Sequence, residues 1–435
     1  MSQWKKVKIG DVCKIEKGST GIASAVPGEY PLVVTAVERK TCSDYQFDCE
    51  AVCIPLVSSS GHGKKSLNNV HYQSGKFALG TILCAVIPND PKELDARYLH
   101  QYLQFYKDTV LVPLMKGAAN VSLSMKDIAS VEIPLPPIER QRELSAMFIS
   151  LQEKSQLLRA ESEKQIEYAK QLRANVLQDA IVGILTADWR DKHPVKKGDP
   201  NYDAEALFEK IQTEKQKTGK KQKPHLAITE DEMPFAIPTG WKWVKLGEVA
   251  SLITDGEHTT PNRIESYKGY YLLSARNIRN TGVDLNAVDF VDKNEYERIN
   301  RRCNPCKGDV LISCSGSIGR SCVIDDDNNY VMVRSAAMIR ISKISAYYIC
   351  QSLQSFFLQK QIEDSIQQSV QPNLFLGAIK NLYLPLPPLV EQNEIVARVE
   401  KHLETITQLE TQIATRETLT KQLMQSILKD AFEER

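Results

Sequence analysis

Two closely similar stretches open the two halves of this chain, WKKVKIGDV at Trp4–Val12 and WKWVKLGEV at Trp241–Val249, which lie 237 residues apart. A second pair, IPLPPIERQREL at Ile133–Leu144 and LPLPPLVEQNEI at Leu384–Ile395, lies 251 residues apart. Self-similarity at a fixed separation is the signature of a repeated architecture. The sequence therefore predicts two related globular units, of which the second is 14 residues longer.

A charged segment without glycine or proline follows each PLPP string for about 40 residues, which favours one continuous helix. Apolar residues recur with a 4-3 spacing from Leu144 to Val176 and, in the same register, from Ile395 to Ile427. This heptad pattern predicts two helices, each on the order of 65 Å long, that pair along one seam. Because each helix follows a globular unit of similar length, an antiparallel intramolecular coiled coil with pseudo-twofold symmetry is favoured. Homo-oligomerisation through the heptads is the alternative.

Each globular unit contains β-branched and aromatic stretches broken by Gly, Asn and Asp, followed by a helix, which predicts an α+β fold. Strands are predicted at Tyr30–Val37, Val52–Val57, Thr81–Ile87, Tyr270–Ser274, Asp309–Ser313 and Tyr330–Ile341. Helices are predicted at Ala96–Tyr106 and Ala346–Ile366. The predicted division of the chain is a first globular domain at 1–137, a first long helix at 138–185, a connector at 186–237, a second globular domain at 238–388 and a second long helix at 389–435. The connector should contain a short helix at Asp203–Lys217, and its basic run Gly219–Lys223 should be a solvated linker.

The composition is that of an ordinary globular protein, with 55 Lys and Arg against 54 Asp and Glu and a formal net charge of +1. No global field therefore attracts the chain to nucleic acid or to a membrane surface. No stretch approaches the ~18 apolar residues of a membrane span, and the amino-terminal segment lacks a signal-peptide core, so the cytoplasm is expected. The ten cysteines, several in apolar runs, are expected to be free buried thiols.

A search for enzyme motifs finds no catalytic constellation. SGHGKKS at Ser60–Ser66 lacks the spacing of a phosphate loop, and CNPC at Cys303–Cys306 is a zinc half-site without a second half. The chain has no HExxH, GxSxG or GxGxxG string, and no Asn/Asp-Pro-Pro-aromatic motif of an amino-methyltransferase. Catalysis by this chain and a metal site are therefore not expected.

Two related but different globular units on a helical rod suit the reading of two separated marks on a linear polymer. On duplex DNA, with ~34 Å per helical turn, such a rod would place two half-sites about one turn apart. The units keep similar ends but differ in their middles, so the two half-sites are expected to differ in sequence.

Six strings along the chain carry a resemblance to a known family. They are WKWVKLGEV, GILTADWR at Gly183–Arg190, TDGEHTTP at Thr254–Pro261, LLSARNIRN at Leu272–Asn280, GDVLISCSGSIGR at Gly308–Arg320 and SVQPNLFLGAIKNLYLPLPPLVEQNEI at Ser369–Ile395. In this order, over nearly the whole chain, they resemble the specificity subunit of a type I restriction–modification system. The first unit departs from the pattern, having EKGSTGI and KGAANVSLSMKDI where the second has TDGEHTT and QSVQPNLFLGAI.

The resemblance implies two target-recognition domains alternating with two long helices and no catalysis by this chain. It implies that each domain reads one half of a split site in double-stranded DNA. Two modification subunits, which methylate adenine with S-adenosylmethionine, would dock on the helices, and two restriction subunits that use ATP and Mg can join them. This chain itself would bind no cofactor.

Direct readout of DNA needs donors and acceptors on loops that enter the major groove, and Gly/Ser-rich turns let backbone N–H groups approach phosphate. In the second domain the candidate DNA-binding residues are Asp255, Gly256, His258, Thr259, Ser274, Arg276, Asn277, Ser315, Gly316, Ser317, Gly319 and Arg320. In the first domain they are Lys17, Gly18, Ser19, Thr35, Ser60, His62, Lys64 and Lys65. Gln371 and Asn373, paired by offset with Asn120 and Ser122, could contact the spacer backbone or cap a turn. For any single residue, an ordinary surface turn is the alternative.

The balanced net charge requires either local basic patches or partners that also grip the duplex, because phosphate contacts supply much of the affinity of DNA-binding proteins. The candidate patch of the first domain is Lys14, Lys17, Arg39, Lys40, Lys64 and Lys65, and that of the second is Arg263, Lys268, Arg276, Arg279, Arg301, Arg302 and Arg320. Two rival hypotheses are a scaffold that binds only proteins and a self-sufficient methyltransferase-nuclease. The recognition strings disfavour the first, and the missing catalytic motifs disfavour the second.

Overall fold

The computed structural model describes residues 4–60, 63–217, 233–366 and 372–433. The chain divides into two compact units. The first unit combines Met1–Glu163 with Ala414–Arg435, and the second is the continuous segment Lys164–Ile413. The first unit is therefore assembled from two segments that are far apart in sequence.

The first unit contains three described sheets. Its strands are β1 (Lys6–Lys8), β2 (Cys13–Lys17), β3 (Tyr30–Val33), β4 (Lys40–Cys42), β5 (Phe47–Asp48), β6 (Ala51–Pro55), β7 (His71–Gln73), β8 (Lys76–Leu79), β9 (Leu83–Pro88) and β10 (Glu132–Pro134). Its helices are α1 (Ile9–Val12), α2 (Ala96–Val110), α3 (Met125–Ala129) and the beginning of α4 (Ile138–Ile181), with a 3-10 turn at Val112–Leu114. One sheet has the antiparallel order β2-β9-β6-β7, a second has the order β4-β3-β8-β5, and β1 pairs with β10.

The second unit repeats this plan. Its strands are β11 (Lys242–Lys245), β12 (Leu252–Asp255), β13 (Tyr271–Leu273), β14 (Ile278–Arg279), β15 (Gly282–Val283), β16 (Asp289–Phe290), β17 (Val310–Ser313), β18 (Ser321–Val323), β19 (Tyr330–Met332), β20 (Ala336–Arg340) and β21 (Tyr383–Leu386). Its helices are α5 (Ala187–Arg190), α6 (Ala204–Lys217), α7 (Leu246–Val249), α8 (Lys293–Asn300), α9 (Ala346–Leu353), α10 (Phe356–Ser365), α11 (Leu376–Asn381) and the beginning of α12 (Leu389–Glu433), with a 3-10 turn at Ala275–Asn277. The sheets are β12-β20-β17-β18, β16-β13-β19, β14-β15 and β11-β21.

The sequence repeat is also a repeat of topology. The sheet β2-β9-β6-β7 has its counterpart in β12-β20-β17-β18, and both are antiparallel throughout. The parallel pair β3–β8 has its counterpart in β13–β19. The predicted α+β fold with two long helices is confirmed.

The two repeated motifs of each unit pair with each other. β1, from the opening motif, runs antiparallel to β10, from the PLPP motif, and Val7 lies opposite Ile133. β11 and β21 pair in the same way, with Val244 opposite Leu384. Each globular domain is thus closed by a strand pair formed from its two ends.

The glycine of the opening motif allows a close helix contact. A Cβ atom at Gly10 would lie 2.9 Å from the Cβ of Ala129 in α3, and one at Gly247 would lie 3.0 Å from the Cβ of Lys380 in α11. These separations are shorter than normal van der Waals contact. The short helices α1 and α7 therefore require glycine at this position.

A buried glutamine on the first turn of each long helix fixes the helix to its globular domain. The amide of Gln141 accepts from the backbone N–H of Asp95 (2.9 Å), the N-cap of α2, and donates to two carbonyls, those of Glu93 and Pro136 (2.8 Å each). Gln392 accepts from the N–H of Ser345 (2.9 Å), the N-cap of α9, and donates to the carbonyl of Pro387 (2.9 Å).

A second repeated hydrogen bond involves a tyrosine. The hydroxyl of Tyr98 donates to the carbonyl of Pro134 (3.0 Å), and the hydroxyl of Tyr348 donates to that of Pro385 (2.6 Å). Both tyrosines are fully buried, so each hydroxyl needs this acceptor.

A buried carboxylate joins three of the family-like strings in the second unit. Glu391 accepts from the hydroxyl of Thr186 (2.7 Å), from the guanidinium of Arg190 (2.6 Å) and from the indole N–H of Trp241 (2.7 Å). A buried charge is tolerated only with such partners. The strings GILTADWR and WKWVKLGEV are therefore held on the first turn of α12.

Within each unit the long helices run antiparallel. In the second unit Arg173 of α4 contacts Glu410 (3.2 Å), whereas Leu185, after the end of α4, accepts from Arg398 (2.9 Å). In the first unit Arg416 of α12 donates to Ser162 (3.0 Å).

The predicted seam is only partly buried. Leu144, Ile395 and Val399 are buried as the heptad pattern predicts. Four leucines that the same pattern assigns to the seam are instead 43–62 % exposed, and these are Leu158, Leu172, Leu409 and Leu423. The deviation arises because much of the apolar surface of both helices packs on the globular domains, as Val176 and Leu428 do.

Several predicted elements differ in extent. The strand predicted at Tyr330–Ile341 is two strands, β19 and β20, separated by a turn. The helix predicted at Ala346–Ile366 is divided into α9 and α10, because the side chain of Ser355 caps a new helix by accepting from the N–H of Leu358. The strand predicted at Tyr30–Val37 ends at Val33, whereas α6 begins within one residue of the prediction. The run Gly219–Lys223 lies outside the described residues.

All ten cysteines are free thiols, and eight of them are buried. Among the helices that the structure describes, none is both long and apolar enough to cross a lipid bilayer.

Candidate nucleic-acid interface

The first candidate loop of the second domain follows β12 and is held by an internal clamp. The carboxylate of Asp255 contacts Nε2 of His258 (2.7 Å) and accepts from Arg302 (2.8 Å). Burial raises the pKa of Asp255, but the hydrogen bonds from His258 and Arg302 outweigh burial and hold the pKa below its usual value. Asp255 is therefore an ionised anchor of the loop, whereas His258 and Thr259 are exposed.

Gly256, a predicted contact residue, is buried because the loop crosses another strand closely. A Cβ atom there would lie 2.1 Å from the carbonyl oxygen of Met332 at the end of β19, which is inside van der Waals contact. Glycine at this position serves the backbone, and the exposed side chains that follow it are the available ones.

The second candidate loop follows β13. Asn277 is 1 % exposed, and its amide accepts from the N–H of Ser274 (3.0 Å) and donates to the carbonyl of Asp284 (3.0 Å). Asn277 therefore shapes the loop and offers no free group to DNA, contrary to its listing among contact candidates by sequence. Arg276 projects into solvent but pairs with Asp289 (2.7 Å), which also accepts from Arg263 (2.8 Å).

The third candidate loop, 314–320, is folded over the end of β17. The buried hydroxyl of Ser313 donates to the carbonyl of Ser317 (2.6 Å) and accepts from the N–H of Arg320 (3.0 Å). Gly316 adopts a φ of 67°, a conformation that favours glycine. Gly319 is buried, since a Cβ there would meet Oε1 of Gln359 at 2.8 Å.

The third loop is bridged to the segment that precedes α11. Ser315 forms a β-bridge with Asn373, and the N–H of Leu374 donates to the carbonyl of Cys314 (2.8 Å). The structure thus brings together two candidate segments that are more than 50 residues apart in sequence. Gln371 lies outside the described residues.

A turn between β19 and β20, here called the junction turn (Val333–Ser335), connects all three loops. The N–H of Arg334 donates to the carbonyl of Glu257 (2.9 Å) in the first loop. Ser335 accepts through its hydroxyl from the N–H of Ala275 (3.1 Å) in the second loop, and through its carbonyl from the N–H of Cys314 (2.8 Å) in the third. No sequence motif marked this turn, because it lies inside an apolar run that was interpreted as one strand.

The first domain has the same junction. Its turn is Gly80–Ile82, between β8 and β9. Thr81 donates through its N–H to the carbonyl of Thr20 (3.1 Å), and Ile82 accepts through its carbonyl from the N–H of Leu56 (2.8 Å). A Cβ at Gly18 would lie 2.2 Å from the carbonyl oxygen of Gly80, as at Gly256, so Gly18 also serves the backbone.

The other candidates of the first domain lie around this turn. Lys17 and Ser19 are exposed, and the loop is braced by Gln46, which accepts from the N–H of Ser19 (2.9 Å) and donates to the carbonyl of Lys17 (2.9 Å). Gln46 was not predicted from the sequence, because the contact spans 27 residues. Thr35 is half-buried just after β3.

The loop after β6 carries the remaining candidates. The hydroxyls of Ser60 and Ser66 are 2.7 Å apart, and Lys64 and Lys65 are exposed. The start of this loop is hydrogen-bonded to the segment of Asn120 and Ser122, as its counterpart is to the segment of Asn373. His62 lies outside the described residues.

The profile of the family "Type I restriction modification DNA specificity domain" matches residues 1–168 and 238–416. The chain belongs to this family.

Two specificity subunits and one solved structure illustrate the relationship. The chain is similar to the type I restriction enzyme EcoBI specificity subunit of Escherichia coli, at 25 % identity over 71 % of this chain and 59 % of that subunit. It is also similar to the EcoDI specificity subunit of Escherichia coli, at 23 % identity over 99 % of this chain and 88 % of that subunit. The alignment with EcoBI thus spans less than two thirds of that relative. The HsdS subunit from Thermoanaerobacter tengcongensis shares the fold, with a TM-score of 0.56 at 17 % identity over 99 % of this chain and 96 % of that one.

Specificity subunits of type I systems recognise DNA and are not the catalytic subunits. For such a subunit the state of the cationic side chains matters, because they contact phosphates and base edges. The segment 238–388 contains nine arginines. Six of them are ion-paired with an aspartate or glutamate, and these are Arg263, Arg276, Arg279, Arg298, Arg302 and Arg340.

The other three arginines of the segment, Arg301, Arg320 and Arg334, have no acidic side chain within ion-pair distance in the described part of the chain. Arg320 and Arg334 flank the end of β17, since Ser313 is hydrogen-bonded to Arg320 on one side and lies opposite Ala336 on the other. The near-neutral specificity subunit therefore neutralises most arginines of this domain internally and leaves two unpaired at the junction.

No group of three or more metal-ligating side chains suited to an ion occurs in the ranges that the structure describes. Cys303 is buried and Cys306 is exposed. One cavity of about 260 Å³ in the second unit is lined mainly by the connector, including Trp189 and Tyr202, and by none of the candidate DNA-binding residues.

Proposed function

We propose that this specificity subunit reads a bipartite, asymmetric site in double-stranded DNA, one half-site for each recognition domain. The single observation that carries the proposal is the repeated junction, where the same backbone hydrogen bonds gather three loops in each domain but present different side chains. A shared scaffold with different loops suits two different half-sites. The recognition directs adenine methylation or restriction by partner subunits in the cytoplasm.

We propose that two modification subunits dock on α4 and α12, and that two restriction subunits join the assembly. Support comes from apolar side chains that the helices expose, such as Leu157, Tyr168 and Leu419, each more than half exposed, because exposed apolar groups favour protein contacts. S-adenosylmethionine would be bound by the modification subunits, and ATP and Mg by the restriction subunits. Partners that grip the duplex would also compensate for the balanced charge of this chain.

The domain division proposed from the sequence is retained: recognition domains at 1–137 and 238–388, long helices at 138–185 and 389–435, and the connector at 186–237. The candidate contacts that the structure leaves accessible are Lys17, Ser19, Ser60, Lys64, Lys65, His258, Thr259, Ser274, Arg276, Ser315, Gly316, Ser317, Arg320 and Asn373. The buried candidates Gly18, Gly256, Asn277 and Gly319 support the loops instead.

The test is a genome-wide map of adenine methylation in cells carrying this chain and its neighbouring modification subunit, compared with cells that lack this chain alone. We expect a split, asymmetric motif that disappears in the deletion strain and returns on complementation. An unchanged methylome, with the complex expressed and assembled, would contradict the proposal and favour a scaffold that binds only proteins.

A further inference from the structure

Arg334 occupies the centre of the loop arrangement in the second domain. Its backbone N–H is fixed on the first loop through Glu257, and the adjacent Ser335 is hydrogen-bonded to both other loops. A side chain that starts from this turn is therefore positioned relative to all three loops at once. Such fixed positioning reduces the entropy lost when a side chain binds a ligand.

The charge of Arg334 is available. The side chain is exposed, and no described acidic group pairs with it. Six of the nine arginines in the segment are ion-paired, as Arg276 and Arg302 are. An unpaired guanidinium among paired ones needs no internal partner to be displaced before it contacts DNA.

The corresponding position in the first domain is Thr81. The N–H groups of Thr81 and Arg334 donate to the carbonyls of Thr20 and Glu257, and the next residues, Ile82 and Ser335, both accept through their carbonyls from the loop after β6 or β17. The backbone is thus the same, whereas the side chain is a short hydroxyl in one domain and a long cation in the other. This is the pattern of a position that varies with the sequence being read.

We propose that Arg334 is a specificity-determining residue of the second recognition domain, and that its guanidinium donates two hydrogen bonds to O6 and N7 of a guanine in the major groove. The inference rests on the proposed function and adds a residue and a base to it. The planar fork of arginine matches the two acceptors of guanine. Thr81, at the same place in the first domain, lacks this fork, so the two half-sites should differ at the corresponding base.

The test uses the assembled complex with its modification subunits and a DNA library randomised over both half-sites. For Arg334→Ala we expect about a 10- to 100-fold loss of preference at one guanine of the second half-site, with the first half-site unchanged. Arg334→Lys should lose the same preference although it keeps the charge, because lysine lacks the bidentate fork. Gel filtration of each complex verifies assembly.

Arg301→Ala is the matched control, since it removes an exposed, unpaired arginine that is not on the junction turn. We expect it to weaken methylation uniformly, without a change of motif. The inference is overturned if Arg334→Ala behaves like Arg301→Ala, with uniform weakening and a salt dependence reduced by about one phosphate contact, or if the first half-site changes. If the wild-type complex shows no split motif that depends on this chain, the proposed function fails instead.

Discussion

Asp289 holds two of the arginines that a DNA-binding surface would use. Its carboxylate is 28 % exposed and pairs with Arg263 and Arg276, whose side chains are 45 % and 54 % exposed. Pairs this exposed contribute little to stability. Their main effect is to reduce the positive potential that DNA phosphates encounter.

Replacing Asp289 by asparagine should therefore release both guanidinium groups and strengthen binding to unrelated DNA. We expect the slope of log K against log salt concentration to become steeper by roughly one to two, since each added phosphate contact contributes about 0.9. Fluorescence titrations of the assembled complex at several KCl concentrations measure this slope. Asp327→Asn, which breaks an exposed pair with Lys307, is the control, and equal slopes for the two variants would show that Asp289 has no such role.

His71 gives the first domain a pH dependence. Burial, and then the nearby charge of Arg39, lowers the pKa of His71 to about 4 from an ordinary value of 6.5. The unfolded chain therefore takes up a proton below pH 6.5 that the folded histidine takes up only near pH 4, so stability is present above pH 6.5 and is lost as the pH falls. Between pH 7 and pH 5 the loss should be about 2 kcal/mol.

Hydrogen exchange of the β6 and β7 amides in the full chain, corrected for intrinsic rates, measures this loss. His71→Gln, which does not titrate, should show a weaker decline of protection toward pH 5. Some decline should remain, since burial also lowers the pKa of His100. Identical declines in the variant and the wild type would exclude His71 as a source.

At the scale of elements, the first-turn glutamines of α4 and α12 are the repeated attachment of helix to domain. Gln141→Leu would leave the N–H of Asp95 and the carbonyls of Glu93 and Pro136 unpaired, and Gln392→Leu would leave one N–H and one carbonyl unpaired. Because unpaired buried groups are costly, we expect about 3 kcal/mol of local destabilisation for Gln141→Leu and about 2 kcal/mol for Gln392→Leu.

Hydrogen exchange at the first turns of α2 and α9 separates the two effects. Gln171→Leu, on an exposed part of α4, is a control expected to change neither turn. Protection that is equally unaffected in all three variants would mean that the helices are held to their domains by apolar packing alone.

The sequence predicted the elements that a local pattern encodes. The repeated motifs identified both closing strand pairs, and the absence of Gly and Pro identified α4 and α12. The break between β19 and β20 was missed, because Val333, Arg334 and Ser335 lie in an apolar run and the turn is imposed by hydrogen bonds from distant loops. Ser355 carried a local signal, since serine is a preferred N-cap.

The candidate site was predictable as a set of loops but not residue by residue. Polar residue type cannot distinguish Asn277, whose amide is used inside the fold, from an exposed neighbour such as Ser317. Nor does it indicate that Arg276 is paired and Arg320 unpaired, because the partner Asp289 becomes adjacent only when β16 pairs with β13. These distinctions are tertiary.

At the scale of the whole molecule, each recognition domain is closed by its own end strands and should be exchangeable. Replacing residues 4–133 by the first domain of another family member should change only the first half-site. The donor must keep the aromatic pocket around Phe432 of α12, which packs against Tyr98, Tyr102, Phe105 and Tyr106. Methylome mapping of the hybrid gives the result, and a change in both half-sites would contradict independent reading.

The two-segment composition of the first unit has a consequence for protein synthesis. Leu428 and Phe432 belong to its core and are each 3 % exposed, yet the ribosome adds them roughly 250 residues after Glu163. At bacterial rates of about 5–20 residues per second, the domain made first waits tens of seconds for its last core residues, while the continuous segment Lys164–Ile413 is already available to fold. A ribosome that stops shortly before Leu428 therefore leaves the amino-terminal reader incomplete, although the missing codons lie at the opposite end of the message.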